Sequence, residues 1–208
     1  MTVQSKPRKE RKENADKRRG QLLDATLRSI AGNGLAKTTL ATVATEAGLS
    51  QGVAVFYFKS KTGLLTEALR AKYQKYERNW AAAIDGKGAN PSAQLVALIK
   101  ADFEPDICYP ESLAIWYAFW GEQKFTTEFA DVTNEFDDRR AEAMAEVCRN
   151  LMPDASEQEA MRIAGWIDTM IDGCWLRLHV NADVYTPDGA AGEILLLVKR
   201  LIPNFDAA

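Results

Sequence analysis

At 208 residues, 47% apolar and 26% charged, the chain can bury one good core or a small domain docked on a larger one, which excludes a disordered or collagen-like polymer. It has no run near the roughly 18 apolar residues of a membrane span and starts with a polar, charged segment, so a cytoplasmic protein without a membrane partner is expected. The net charge of −3 conceals a basic head and an acidic body: residues 1–75 hold 15 Lys and Arg against 6 Asp and Glu, and residues 76–208 hold 11 against 23, as in a phosphate-binding end joined to an end with a different task.

Met1 to Asn14 is dense in Lys and Arg and has almost nothing apolar to dock, so residues 1–14 read as a disordered basic arm. From Lys17 to Asn33 apolar residues recur at three and four, and Gly32 to Gly34 supply a stop. Thr38 and Thr39 offer caps for a second helix, which carries Leu40, Val43, Ala44 and Ala47 on one face. Gly48-Leu49-Ser50 then makes a three-residue turn: Gly48 for a left-handed backbone, Leu49 to anchor, Ser50 to cap. A short third helix, Gln51 to Phe58, completes a helix-turn-helix over residues 15–60. Ser60 caps a long fourth helix to about Asp85, and further helices follow at about 92–104, 111–123, 125–151, 156–181 and 188–202, divided by Pro105, Pro110, Pro153 and Pro187. The predicted fold class is all-α, with residues 61–208 as a larger helical ligand-binding and dimerisation domain.

The short third helix carries the candidate DNA chemistry. Ser50 and Gln51 offer hydrogen bonds to base edges or phosphates, Gly52 lets the backbone approach closely, and Val53 suits a thymine methyl. Tyr57 and Lys61 have the reach for phosphates, as does the helix start at Thr39, and Phe56 joins them on the same short element. An ordinary helical corner would explain the geometry alone.

In the body, Trp116, Phe119, Trp120 and Gln123 fall on one helical face, as either plain core or a box of π faces for an organic cation. Tyr73, Tyr76 and Trp80 form a second stripe on the fourth helix. Asp168, Asp172 and Trp175 share a face of the penultimate helix, readable as a cation site or as a wet edge with His179. Gly165 and Gly173 favour close helix approach, and with Ile194, Leu197, Val198 and Leu201 they are expected at a homodimer interface.

The run from Thr38 to Lys61, followed by Gly63-Leu64-Leu65, resembles the signature of TetR-family repressors, although many members carry Tyr where Val55 stands. Arg18 to Leu27, Trp116 to Trp120 and Ile171 to Arg177 are more narrowly similar to the choline-responsive, BetI-like repressors of betaine biosynthesis, a subfamily that also tends to lack that Tyr. The resemblance implies a homodimer on an inverted-repeat operator in double-stranded DNA. It also implies an effector such as choline or a related quaternary ammonium, with a different apolar or aromatic small molecule as the alternative, and the helical stripes above make Trp80, Trp116, Phe119, Trp120, Asp172 and Trp175 the candidate residues to hold it.

Competing classes fare less well. Without G-x-S-x-G, a Gly-rich phosphate loop or a Cys-His pair, no catalytic residues and no cofactor are expected. His179, alone, makes neither a metal site nor a triad. Cys108, Cys148 and Cys174 are too widely spaced for zinc and odd in number, reading as buried thiols in a reducing compartment, with a redox role for Cys174 as the rival. A purely helical adaptor leaves the basic head unexplained.

Overall fold

Caps and first-turn prolines set where the helices begin. In the computed structural model, which describes residues 8–88, 90–181, 184–203, 205 and 206, the chain forms nine helices and no strand among those residues. They are α1 (Arg8–Lys37), α2 (Leu40–Glu46), α3 (Gln51–Phe58), α4 (Lys61–Asp85), α5 (Pro91–Ala101), α6 (Pro110–Glu122), α7 (Thr127–Leu151), α8 (Glu157–Val180) and α9 (Pro187–Leu201). Pro91, Pro110 and Pro187 sit in the first turns of α5, α6 and α9, where a missing N–H costs nothing. Side chains of Ser60, Asn90, Ser156 and Thr186 cap α4, α5, α8 and α9.

Part of the stretch expected to be disordered is helical. Residues 8–14 are already helical, while the first seven residues lie outside the described ones. This stretch consists mostly of strong helix formers, places Glu13 four residues before Lys17, and extends a helix whose nucleus the packed part already provides. Gly34, at φ 77°, ends the regular helix.

Two apolar cores organise the molecule. In the head, Leu22, Val43, Ala54 and Phe58 close on Leu64 and Ala68 of α4, so the head reaches past the boundary expected at residue 60. The first turns of α4 are needed to cover α1 and α3. Further along, Leu69, Tyr73 and Trp80 of the same helix enter the body core. There α7 packs on α8 and α4, α5 lies against α4 and α7, and α9 covers α5 and α8. One rigid element therefore belongs to both cores.

Ile194 and Val198, expected at a dimer interface, are fully buried within the protomer's own core. The apolar side chains left outward are Met161, Trp166, Leu176 and Val180 of α8 and Leu196 of α9. Phase explains the difference: the most apolar stripe of α9 faces α5 and α8. The three cysteines are free and buried, and burial pushes the Cys174 thiol up, opposite to what a reactive thiolate requires.

Candidate DNA-binding head and effector pocket

The helix-turn-helix is built by short-range bonds. Thr39 Oγ1 accepts from the Thr42 N–H at 3.1 Å, and Thr42 Oγ1 accepts from the Thr39 N–H at 2.9 Å, a reciprocal cap on α2. Gly48 takes φ 67°, and the Leu49 N–H returns to the Ala44 carbonyl at 2.8 Å, closing the turn. Ser50 occupies the N-cap position of α3 but makes no side-chain capping bond, correcting its expected role.

Ala54 and Phe58 anchor α3 in the head core, which turns the opposite face outward. On that face Gln51 and Gly52 are exposed, Val53 and Tyr57 are half-buried, and Phe56 is 69% exposed. A Cβ on Gly52 would meet only Ser50 Oγ, at 3.9 Å, so nothing inside the chain demands glycine there. Lys61 is already engaged: its Nζ donates to the Ala36 carbonyl at 2.8 Å and ties α4 to the end of α1. Sequence reasoning missed Lys59, held at φ 64° with the Ser60 N–H donating to the Phe58 carbonyl at 2.7 Å, a tight and strained three-residue turn. Its Nζ donates to the Phe56 carbonyl at 2.7 Å beside the exposed Phe56 ring.

The body encloses a cavity of about 270 Å³ between α4, α6, α7 and α8. Its aromatic wall is Tyr73, Tyr76, Trp116, Trp120 and Trp175. The three indoles lie near-parallel, with centroids 6.0–6.4 Å apart. Tyr73 meets Trp116 edge-on at 4.6 Å, and Tyr76 meets Trp175 edge-on at 5.8 Å. Facing the rings are Asp137, Asp168 and Asp172, with Arg140 at the back.

Behind the wall, Asp102 at the end of α5 acts as a buried hub. Its carboxylate accepts from Tyr76 Oη at 2.6 Å and from Arg140 Nη2 at 2.6 Å, while its main-chain carbonyl accepts from Trp175 Nε1 at 3.0 Å. Burial outweighs the favourable Arg140 charge and holds the Asp102 carboxyl up, at about 6. At the rim, burial first and then the like charges of Asp168 and Asp137 push Asp172 up to about 7, and burial raises Asp137 to about 6. Arg140 serves two carboxylates at once, its Nε 3.5 Å from Asp168 Oδ1, so among the described residues Asp137 and Asp172 have no cationic partner. Among the described residues, Trp116 Nε1 and Arg140 Nη1 also reach no hydrogen-bond acceptor.

Of the six residues expected to hold an effector, Trp116, Trp120, Asp172 and Trp175 line this cavity together. Phe119 does not: it is fully buried and packs edge-on against Phe129 at 5.1 Å. Nor does Trp80, whose ring lies 5.6 Å from the Arg140 guanidinium, outside the cavity wall. Gln123 leaves the stripe to donate to Thr133 Oγ1 at 2.7 Å. Tyr73, Asp102, Asp137, Arg140 and Asp168 complete the arrangement.

The family described as bacterial regulatory proteins, tetR family, matches residues 22–68, and the BetI-type transcriptional repressor C-terminal family matches residues 91–203. The HTH-type transcriptional regulator BetI of Stenotrophomonas maltophilia is 32% identical over 160 residues, 77% of this chain and 80% of that protein. Its namesake from Agrobacterium fabrum is 34% identical over 161 residues, covering 77% and 76%. Among solved structures, a transcriptional regulator from Pseudomonas aeruginosa PAO1 superposes with TM-score 0.83 at 24% identity, covering 90% of this chain and 91% of that one. A regulator from Saccharomonospora viridis, crystallised in complex with choline, superposes with TM-score 0.79 at 21% identity, covering 88% and 96%. At these identities the two structures speak to the fold.

Proposed function

The chain belongs to the TetR family of transcriptional regulators, with a BetI-type C-terminal domain, and from that premise we propose that it is a cytoplasmic homodimeric repressor released from its operator by choline or a related quaternary ammonium compound. The observation that carries the effector reading is the cavity itself. Five aromatic rings line it together with three carboxylates; Asp168 is paired with Arg140 at 3.5 Å, whereas desolvation and neighbouring like charges oppose the ionisation of Asp137 and Asp172. An organic cation satisfies both sides: the ring faces attract it through their quadrupoles, and its charge relieves the acids. The volume falls just below the roughly 300–1,000 Å³ of drug-sized ligand sites, which suits a small ion. Among the described residues Trp116 Nε1 and Arg140 Nη1 meet no acceptor, so a hydroxyl or carboxylate at the far end of the cation fits as well. A neutral aromatic effector would leave Asp137 and Asp172 unrelieved.

Two heads are needed, because a single short helix reads few base pairs; a two-fold dimer on an inverted repeat supplies them about one helical turn, roughly 34–36 Å, apart. The outward face of α8 supports pairing: Met161, Trp166, Leu176 and Val180 are exposed apolar residues, and the Cβ positions of Gly165 and Gly173 look into open space. On DNA, Gln51 and Val53 are assigned to base edges, and Thr39, Ser50, Tyr57 and Lys61 to phosphates or positioning, with Gly52 permitting close approach and Phe56 exposed beside them. Lys59 adds a cation to that face. α4 links the two functions, carrying Tyr73 and Tyr76 in the pocket wall and Leu64 and Ala68 in the head core. Release requires that choline prefer the conformation with mismatched head spacing, since equal affinity for both moves nothing.

A mobility-shift assay on the DNA upstream of the chain's own gene tests this reading. Specific, salt-sensitive binding relieved by millimolar choline is expected; absence of specific binding would remove the repressor reading.

A further inference from the structure

A second cavity lies on the other side of the Trp116 wall, where the head meets the body. It measures about 500 Å³ and opens between α1, α4, α6 and the segment before α6. Tyr76 and Trp116 line both cavities. Its floor is apolar, with Leu27, Ile107 and Ile115, whereas its charged lining is mainly basic: Arg28, Lys72, Lys75 and Arg78 against Asp24 and Asp106. This is the reverse of the acid-lined inner pocket.

Lys72 is the unusual member. Its Nζ sits 4.5 Å from the Trp116 ring centroid and donates to Ser112 Oγ at 2.7 Å. Both partners are neutral. Among the described residues no carboxylate lies within ion-pair distance of it. Burial, and then the like charge of Lys75, push this ammonium down to about 7. A largely buried ammonium without a counter-ion is costly to keep charged, and an anion delivered into the cavity would restore it.

We propose that this cleft is a second ligand site, taking an amphipathic organic anion whose carboxylate pairs with Lys72 and whose flat apolar body lies on Leu27, Ile107 and Ile115. The volume falls within the roughly 300–1,000 Å³ range of ordinary ligand sites. An anion lodged there touches α1 and α4, the two helices that join head to body. The site lies across the shared Tyr76–Trp116 wall from the cation pocket, and the proposal does not rest on what that pocket binds.

The test uses 2-naphthoate as probe and 2-naphthamide as its neutral counterpart, titrated calorimetrically into the full chain. Saturable naphthoate binding is expected, with the amide at least about tenfold weaker, the loss that follows removal of a hydrogen bond between charged groups. Lys72→Met should weaken naphthoate by a similar factor, Lys72→Arg should retain most of the affinity, and Leu27→Trp, which fills the cleft, should abolish it. Trp120→Ala, confined to the inner pocket, should leave naphthoate binding unchanged. Circular dichroism identifies any variant that fails to fold; the comparison of acid with amide on the unaltered chain needs none. No saturable binding at millimolar naphthoate, equal affinity for the amide, or loss in Trp120→Ala with retention in Leu27→Trp would each overturn the assignment.

Discussion

Arg140 Nη2 lies 2.6 Å from Asp102 Oδ2, with the two side chains 7% and 0% exposed. Arg140 lines the aromatic cavity, and Asp102, behind its wall, also fixes Tyr76 and Trp175. Removing Arg140 leaves Asp102 as an unpaired buried charge, and removing Asp102 leaves Arg140 with only its longer contact to Asp168 at 3.5 Å, changes that cost up to about 3–5 kcal/mol. Asp102→Asn should therefore lower the urea midpoint substantially and weaken choline binding together. Replacing both, as Asp102→Asn with Arg140→Met, should recover much of the stability without the affinity, a non-additivity that a double-mutant cycle measures directly.

The pocket acids set a pH dependence. Asp172 titrates near 7 and Asp137 near 6, so both are increasingly ionised between pH 5.5 and 8. A cation prefers the ionised site; choline affinity should rise across this window, with protons released on binding. Without ligand the sign is opposite for stability: a folded carboxyl raised above its unfolded value stabilises most at low pH, and this contribution is lost as pH rises through the folded value. Calorimetry in two buffers of different ionisation enthalpy should show the proton release, and Asp172→Asn should flatten the profile.

Trp120 and Phe119 are neighbours with different fates. Trp120 is half-buried on the pocket wall, whereas Phe119 is fully buried against Phe129. Trp120→Ala should weaken choline by about 0.5–2 kcal/mol with little change in melting temperature. Phe119→Ala should cost about 3–5 kcal/mol of stability and leave the affinity of the folded fraction nearly unaltered. Thermal melts paired with calorimetric titrations separate the two effects.

Much of this was legible in the sequence, because caps, prolines and the Gly48 turn act locally. The phase of a stripe was harder. Trp116, Phe119 and Trp120 share a helical face about two residues wide, and which ring points to a cavity depends on α7 and α8 arriving from far along the chain. Arg140 was hidden by its setting in Asp137-Asp138-Arg139-Arg140, which reads as a solvated charge run. Its spacing to Phe129, Val132, Phe136 and Met144 places it on the buried stripe of α7, and that periodicity was the available signal. Asp102 carried no comparable mark: its role arises only where α4, α7 and α8 converge on the end of α5.

The α8 face leads to a prediction about assembly. Leu176→Asp would bury a charge without a partner in a paired interface, and should give a monomer by sedimentation velocity with much weaker operator binding. Ile194→Asp should instead unfold the protomer, since that side chain lies in its own core. A Leu176→Asp chain that stays dimeric would place the interface elsewhere.

On the proposed function, a positive charge, rather than a choline-shaped apolar body, releases the operator. The most direct measurement titrates the operator complex, by fluorescence anisotropy at fixed salt, with choline and with 3,3-dimethylbutan-1-ol, in which carbon replaces the ammonium nitrogen. Release by choline with at least about a tenfold weaker response to the alcohol is predicted, since desolvated ring faces contribute up to about 2 kcal/mol each only to the cation. Equal release by the alcohol, or no release by choline, would contradict the account.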